Sequence, residues 1–444
     1  MLIRLIALAA LFGLLFGFDE GIIAGALPLI TQTFTISVVG EGFVTAAVPL
    51  GAVGGAILAS LYVDKLGRKK VLFFCSLLFG IGAIGSGLAS SETLLAVARL
   101  LLGLAIGASA MTAPMFLAEV SPDRYRGAMV SAFQLMITIG ILGSYCVGFL
   151  LEPLGAWRWM LALGAIPAVI TFLGLLRAPE SPRWLAANGE VDEAQKVISS
   201  IQPDLKEEEV DRIISDIKKT QASEASSGSW NDLMSDRLRP VVSFAIIAFL
   251  LQQVSGINAV IYYAPTILKY AGFDGTSTQL LATVGIGVVN VLMTVVAMMI
   301  VDKFGRRPLF ILGFAGTSLS LLVVAYAMSK GTPDFAAMAL IGLFAYIAFF
   351  AISLGPLPWL YMSELFPLRF RSKGMALASV ANWSCNFAVV FLFPVVVSSF
   401  GAAPTFLIFS IFCAIGVIYT WFKAPETKGV SLEDLEKQLT AKSA

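Results

Sequence analysis

Apolar residues in this chain come in long unbroken blocks separated by short polar stretches, with no strict alternation of the two kinds. Twelve blocks are long enough to cross a hydrocarbon core of ~30 Å, which takes roughly 20 helical residues. They predict spans at 5–30, 38–62, 69–89, 93–120, 127–151, 157–177, 240–268, 276–301, 308–328, 335–364, 373–399 and 402–423. A lipid-exposed backbone must satisfy its own hydrogen bonds, so such runs are helices; a membrane β-barrel would show short alternating segments instead. The pattern therefore predicts an all-α membrane protein with twelve transmembrane helices. The first block is too long for a signal peptide, lacks a small-residue cleavage site and carries Asp19 and Glu20 at its centre, so it is read as a mature helix.

The longest polar stretch, 178–239, separates six spans from six. It holds two weakly amphipathic segments, near 191–201 and 206–221, and then a serine-rich run. The expected organisation is an N-terminal six-helix half (1–177), a linker with short helices on the membrane face (178–239), a C-terminal six-helix half (240–423) and a tail (424–444).

Composition agrees with a bilayer environment. The chain is 58% hydrophobic and 13% charged, whereas soluble chains are about half apolar and about one quarter charged. A net charge of +1 identifies no partner, and none of nucleic-acid type is expected. The placement of charge says more. Lys65, Arg68, Lys69, Lys70, Arg124, Arg126, Lys303, Arg306, Arg307, Arg369, Arg371 and Lys373 follow spans 2, 4, 8 and 10, while the loops on the other side hold Arg158, Lys269 and Lys330. The positive-inside rule makes the basic side cytoplasmic, which places both termini in the cytoplasm and the protein in the cell (inner) membrane. Cys75, Cys146, Cys385 and Cys413 all fall inside spans and read as packing residues. Neither a disulfide framework nor metal-ligand spacing is present, and no metal or cofactor is expected. The chain has no histidine, so any proton chemistry must run on carboxylates.

The halves repeat. Asp64-Lys65-Leu66-Gly67-Arg68-Lys69 after span 2 matches Asp302-Lys303-Phe304-Gly305-Arg306-Arg307 after span 8. Glu119 and Arg126 flank the loop after span 4 as Glu364 and Arg371 flank that after span 10, and Pro179-Glu180-Ser181 is matched by Pro425-Glu426-Thr427. Three acidic–basic motifs in one order at a near-constant separation are hard to obtain by chance. Parallel six-helix repeats with a site between them are a transporter architecture.

Two features lie deep in the predicted spans. Asp19 and Glu20 in span 1 and Arg99 in span 4 are charges inside apolar helices. Such charges cost roughly 2.5–3.5 kcal/mol at a helix centre and seek a partner in the bundle interior. Asp19 and Arg99 are the natural pair, as a static structural bridge or as a protonation switch. The predicted limits put Arg99 nearer the outer face than Asp19, a mismatch that tilt or a break at Gly13, Gly17 or Gly21 would remove. Glu20 is expected nearer the wall or vestibule, without a role. The second feature is a set of amides, Gln134, Gln252, Gln253, Asn258, Asn290, Asn382 and Asn386, with the aromatic residues Phe16, Tyr262, Trp359 and Trp383. Amides offer both donor and acceptor, which suits an uncharged polyhydroxylated ligand; singly, each could also be interhelical glue. Gly256 is expected to interrupt span 7, and Pro356 and Pro358 to loosen span 10, since each proline removes a helix hydrogen bond.

Taken together, the two Asp-x-x-Gly-Arg-(Lys/Arg) loops, Pro179-Glu180-Ser181-Pro182-Arg183-Trp184-Leu185, Gln252-Gln253-Val254-Ser255-Gly256-Ile257-Asn258 with Tyr262-Tyr263, Pro356-Leu357-Pro358-Trp359, Ser363-Glu364 and Pro425-Glu426-Thr427-Lys428-Gly429 resemble the sugar porter family of the major facilitator superfamily over nearly the whole chain. The resemblance implies a twelve-helix major facilitator fold and transport by alternating access, with no enzymatic step. It places a proton-coupling acid at Asp19 and its partner at Arg99. It places sugar contacts at Gln134, Gln252, Gln253, Asn258, Asn290, Asn382 and Trp359, and an aromatic lining at Phe16, Tyr262 and Trp383. Asn382 departs from relatives that carry glutamine there. The resemblance also favours a cytoplasmic gate of Asp64, Arg68, Glu119, Arg126, Glu180, Asp302, Arg306, Glu364, Arg371 and Glu426 that ties up in the outward-open state, over simple topology signalling.

The expectation is a proton-coupled monosaccharide symporter, with sugar or polyol and protons as its partners and a functional monomer in the lipid bilayer. A facilitative uniporter or a proton-coupled myo-inositol carrier is the alternative. A sugar sensor is disfavoured by a tail too short for a signalling domain, and a drug-efflux pump by the cluster of amides.

Overall fold

A computed structural model describes residues 2–122, 126–203, 205–224, 230–236, 238–366 and 368–428. Twelve helices in it are long and apolar enough to cross a membrane. The first six spans are Leu2–Phe34, Val38–Leu66, Arg68–Gly87, Glu92–Val120, Ser131–Leu154 and Trp157–Leu176. The second six are Arg239–Tyr262, Thr276–Val301, Arg306–Lys330, Ala336–Met362, Lys373–Phe400 and Ala402–Lys423. They are numbered 1 to 12 here and match the predicted blocks one for one.

Chain chemistry explains where several of these helices begin. Ser37 and Ser91 cap spans 2 and 4, accepting hydrogen bonds from the backbone N–H of Gly40 and Leu94. Such caps satisfy N–H groups that a helix start leaves without an internal acceptor. Large apolar side chains on the outer faces, such as Leu61, Ile81, Leu319 and Phe422, stay exposed, as a lipid-facing surface requires.

The spans form two six-helix halves. Within the first half, span 2 packs along span 4 and span 1 along span 5; across the halves, span 2 lies against span 11 and span 5 against span 8. Lipid is as apolar as leucine, so helices associate in it by close backbone approach over small residues. A Cβ on Gly103 would lie 2.1 Å from the carbonyl oxygen of Val48, and one on Gly17 would lie 1.8 Å from that of Ile137. Of the tilt or break expected in span 1, the break is absent. Its helix runs unbroken from Leu2 to Phe34, and Gly17 serves close packing against span 5 instead of a break.

After span 6, helices at Pro182–Ala187, Val191–Ile201 and Glu207–Glu224 pack on one another at the basic end of the bundle. The last two are the segments expected from amphipathic spacing. Val197, Ile198, Ile201, Val210 and Ile214 bury their apolar faces. The first, six residues long, was hidden by its length.

Candidate transport site

The amide cluster sits where two helices of the second half are broken. Span 7 is helical over Arg239–Val254 and restarts at Ile257–Tyr262. Between them Gly256 adopts φ 88°, a left-handed conformation open to glycine at no steric cost. The chain breaks again at Tyr263 before a last helical piece, Ala264–Tyr270. Span 10 passes through a π-helical turn at Phe350–Leu354 and resumes α-helix at Leu357–Leu365. Pro358 has no N–H, so the carbonyl of Leu354, four residues earlier, cannot be satisfied within the helix. Gln252 supplies the missing donor, its Nε2 lying 2.7 Å from the Leu354 oxygen.

The other amides are chained together. Asn258 Nδ2 donates to Gln253 Oε1 at 2.7 Å, and Gln253 Nε2 donates to Asn382 Oδ1, also at 2.7 Å. The chain links both pieces of span 7 to span 11, and each of its three side chains is buried. Among the described residues, Gln252 Oε1 and Asn386 Oδ1 are buried without a hydrogen-bond partner. A buried polar atom left unpaired costs stability, so these two oxygens are acceptors with capacity to spare. Asn290 is buried on span 8 and Gln134 is half-buried on span 5. Phe16 of span 1 meets Trp383 of span 11 with ring centroids 5.5 Å apart, an aromatic contact across the halves. Trp359 packs edge-on against Phe249 at 4.7 Å.

The first half holds the charges. Asp19 and Arg99 are 4% and 1% exposed. Arg99 Nη1 lies 3.8 Å from Asp19 Oδ1, so the predicted partners do meet despite the axial mismatch expected from the sequence. The pair is loose. Arg99 Nε donates to the carbonyl of Val44 at 3.0 Å, while its Nη1 and Asp19 Oδ2 have no hydrogen-bond partner among the described residues. Glu20 does not sit at a wall or vestibule as expected. It is 6% exposed, and its Oε1 accepts a hydrogen bond from the Tyr262 hydroxyl at 3.2 Å. That bond joins span 1 to span 7. Tyr145 of span 5 makes a second link between the halves, donating to the carbonyl of Ile261 at 2.9 Å. Neither contact could be found from spacing alone.

The basic end carries two copies of one network. In the first half, Arg68 Nε lies 3.0 Å from Glu119, and Glu180 accepts from the backbone N–H of Lys69 at 2.9 Å. In the second, Arg306 Nη2 lies 2.8 Å from Glu364, and Glu426 accepts from the backbone N–H of Arg306 at 3.0 Å. Ser181 donates to Glu119, and Thr427 donates to Glu364 in the matching place. Asp64 adds an ion pair to Arg68 at 3.1 Å. Burial pushes the Glu180 carboxyl above its ordinary range, against the pull of N–H groups from Lys69 and Ser181 and of the Arg68 charge.

Gly67 (φ 93°) and Gly305 (φ 86°) turn the chain at equivalent points, and a Cβ on them would lie 2.3 Å from Glu180 and 2.7 Å from Glu426. None of these bonds crosses between the halves; each stays within one half or ties it to the segment that follows its last span. The side chains of Arg126, Asp302 and Arg371 lie outside the described residues. The sequence reading missed Ser181 and Thr427, whose matched places in the repeat were the available signal.

Comparison with known proteins follows the same lines. A family model described as "Sugar (and other) transporter" matches residues 5–439. The chain is 39% identical over 437 residues to a D-xylose transporter of Levilactobacillus brevis, covering 98% of this chain and 95% of that one. It is 37% identical over 435 residues to the galactose-proton symporter of Escherichia coli, covering 97% and 93%. Among solved structures, the xylose transporter XylE of E. coli in a partially occluded inward-open conformation aligns with a TM-score of 0.86 at 29% identity, over 97% of this chain and 99% of that one. The proton:xylose symporter XylE bound to 6-bromo-6-deoxy-D-glucose aligns with a TM-score of 0.84 at 30% identity, over 99% of each chain.

Proposed function

The chain belongs to the sugar transporter family of the major facilitator superfamily, and from that membership we propose that it is a proton-coupled symporter of a monosaccharide, a hexose or pentose, working by alternating access. One observation carries this reading: an uncharged, buried amide chain in the second half is paired with a buried acid–arginine pair in the first. A sugar has no charge to neutralise and many hydroxyls to satisfy. Gln252, Gln253, Asn258, Asn382 and Asn386 meet that need with donors and acceptors held by helix breaks. Gln134 and Asn290 extend the set from spans 5 and 8, and Phe16, Tyr262, Trp359 and Trp383 supply flat apolar surface for the ring. Transport of this kind makes and breaks no covalent bond.

Asp19 is the coupling acid in this reading. Ionised, it is held near Arg99; protonated, it loses that attraction, and spans 1 and 4 are freed to move. A facilitator would need no such acid. The basic end is assigned to the cytoplasm by the positive-inside rule, with both termini on that side of the cell membrane. There Arg68–Glu119–Glu180 and Arg306–Glu364–Glu426 rigidify each half, and Asp64, Arg126, Asp302 and Arg371 complete the gate. Residues 1–177 and 240–423 are the two moving bodies, 178–239 the linker and 424–444 the tail, in a functional monomer.

Uptake by proteoliposomes, with a panel of labelled hexoses, pentoses and polyols and with or without an inward proton gradient, tests the reading. Accumulation of one monosaccharide above equilibrium under the gradient is the expected result. Equilibration without accumulation would make the protein a uniporter, and selective uptake of myo-inositol would make it a polyol carrier.

A further inference from the structure

Asp19 is not alone in its site. Glu20 follows it in sequence and is buried equally deeply, yet among the described residues it has no ion pair. The groups that face it are few. Asp19 neighbours it on span 1. Tyr262 on span 7 donates to it at 3.2 Å, and Tyr145 on span 5 donates to the carbonyl of Ile261, the residue before Tyr262, at 2.9 Å. Arg99 on span 4 is the one cation of the group, and it is engaged with Asp19 and with the carbonyl of Val44.

Two carboxyls and one guanidinium therefore share a site closed to water. With both acids ionised the site carries a net negative charge, and its second carboxylate has a tyrosine hydroxyl as its support. One proton on the pair makes the site neutral. An uncompensated charge sealed in a protein interior is costly, and two interacting acids titrate as a unit, not separately.

The geometry points to Glu20 as a second proton-binding residue of the coupling machinery: the transported proton belongs to the Asp19–Glu20 pair, and the Tyr262 bond to Glu20 ties proton occupancy to closure between the halves. This rests on the symport reading above. A proton entering from the outer solution binds the pair, crosses with the carrier and leaves from it on the other face, while Arg99 keeps its charge throughout. Opening the end of the bundle at which spans 1 and 7 meet must break the Glu20–Tyr262 bond, and the strength of that bond depends on whether Glu20 is ionised.

The inference separates from an Asp19-only mechanism. If Glu20 is a permanently neutral bystander, Glu20→Gln leaves coupling intact. If the pair shares the proton, Glu20→Gln gives a site that is neutral with Asp19 ionised and no proton bound, so coupling is lost. The test measures proton-driven accumulation and sugar counterflow in the same proteoliposomes from pH 5 to 9 for wild type, Glu20→Gln and Glu20→Asp. The expected result is counterflow that falls with rising pH in wild type and flattens in Glu20→Gln. Accumulation should be lost in Glu20→Gln and retained in Glu20→Asp, which keeps the carboxyl. A Glu20→Gln carrier with wild-type accumulation and a wild-type pH profile overturns the inference and leaves the symport reading standing. A wild type that never accumulates sugar overturns both. If Glu20→Gln also abolishes counterflow, proton uptake on sugar binding by the purified proteins in detergent decides. An unchanged number of protons per sugar overturns the inference, and a loss supports it.

Discussion

The two six-helix halves share a frame and differ in what they do with it. At the basic end they are near copies: arginine to glutamate, glutamate to backbone N–H, hydroxyl to glutamate, each around a glycine of positive φ. Deeper in the membrane they diverge. The first half keeps a continuous span 1 and buries Asp19, Glu20 and Arg99. The second breaks spans 7 and 10 and, among the described residues, buries amides and no charge at the equivalent depth. A straight helix satisfies its own backbone, so the polar groups of the first half are side-chain charges that can hold a proton. A broken helix exposes carbonyls and must import donors, so the second half is built from amides that can also meet hydroxyls. In the proposed reading, proton coupling centres on the first half and most of the ligand-facing amides lie in the second, with Gln134 and Phe16 reaching the ligand from the first half.

The largest expected effect comes from removing the charge from the first half. Asp19→Asn keeps size and hydrogen bonding but cannot ionise. Accumulation against a sugar gradient should be abolished while sugar binding and exchange survive, read as proton-driven uptake and counterflow in the same vesicles. If the variant still concentrates sugar as steeply as wild type, the division between halves is wrong.

Disturbing the second half should do the opposite. Gln253→Ala removes the amide that links Asn258 to Asn382. It leaves polar groups unpaired in a dry site, at about 1–3 kcal/mol, or about 5- to 150-fold in sugar affinity at 1.36 kcal/mol per decade. Equilibrium binding in detergent measures this. Unchanged affinity would remove the amide chain from the binding site.

The shared frame is tested by symmetry. Glu119→Gln and Glu364→Gln each remove the charge from one arginine–glutamate bond, worth about 1.5–3 kcal/mol for hydrogen bonds to charged groups. The two should slow uptake alike and raise the labelling of cysteines placed at the basic end alike. Unchanged labelling in both would reduce these charges to topology signals.

The smallest effect on transport is expected at the turns. Gly67→Ala and Gly305→Ala force a side chain into backbone conformations near φ 93° and 86°, at a cost of order 1–3 kcal/mol, and push it against Glu180 or Glu426. Thermal melts in detergent should fall for both, with sugar affinity unchanged. Equal melting of variant and wild type would show that the turn relaxes freely.

Much of this molecule is legible in its sequence. Twelve spans followed from block length, because lipid offers the backbone no partner and leaves one solution for a long apolar run. The repeat motifs located the basic-end networks, because charges inside a mostly apolar chain are few enough to be matched in order. The identities of the buried polar residues were likewise plain, since each stands out in an apolar block.

Pairing was decided by the tertiary structure. Proximity in sequence did not reveal that Glu119 bonds Arg68 and Ser181 from other elements. Gln252 could be a ligand residue or interhelical glue by its sequence, and its Nε2 serves the carbonyl that Pro358 leaves unpaired on span 10. Glu20 looked peripheral because helical position fixes a residue's depth and leaves open which neighbour its side chain faces. That neighbour is Tyr262, on the short helix that restarts after the break at Gly256. Apolar periodicity determines which segments enter the bilayer; contacts between segments far apart in sequence depend on small differences in helix approach, which become fixed when the whole bundle packs.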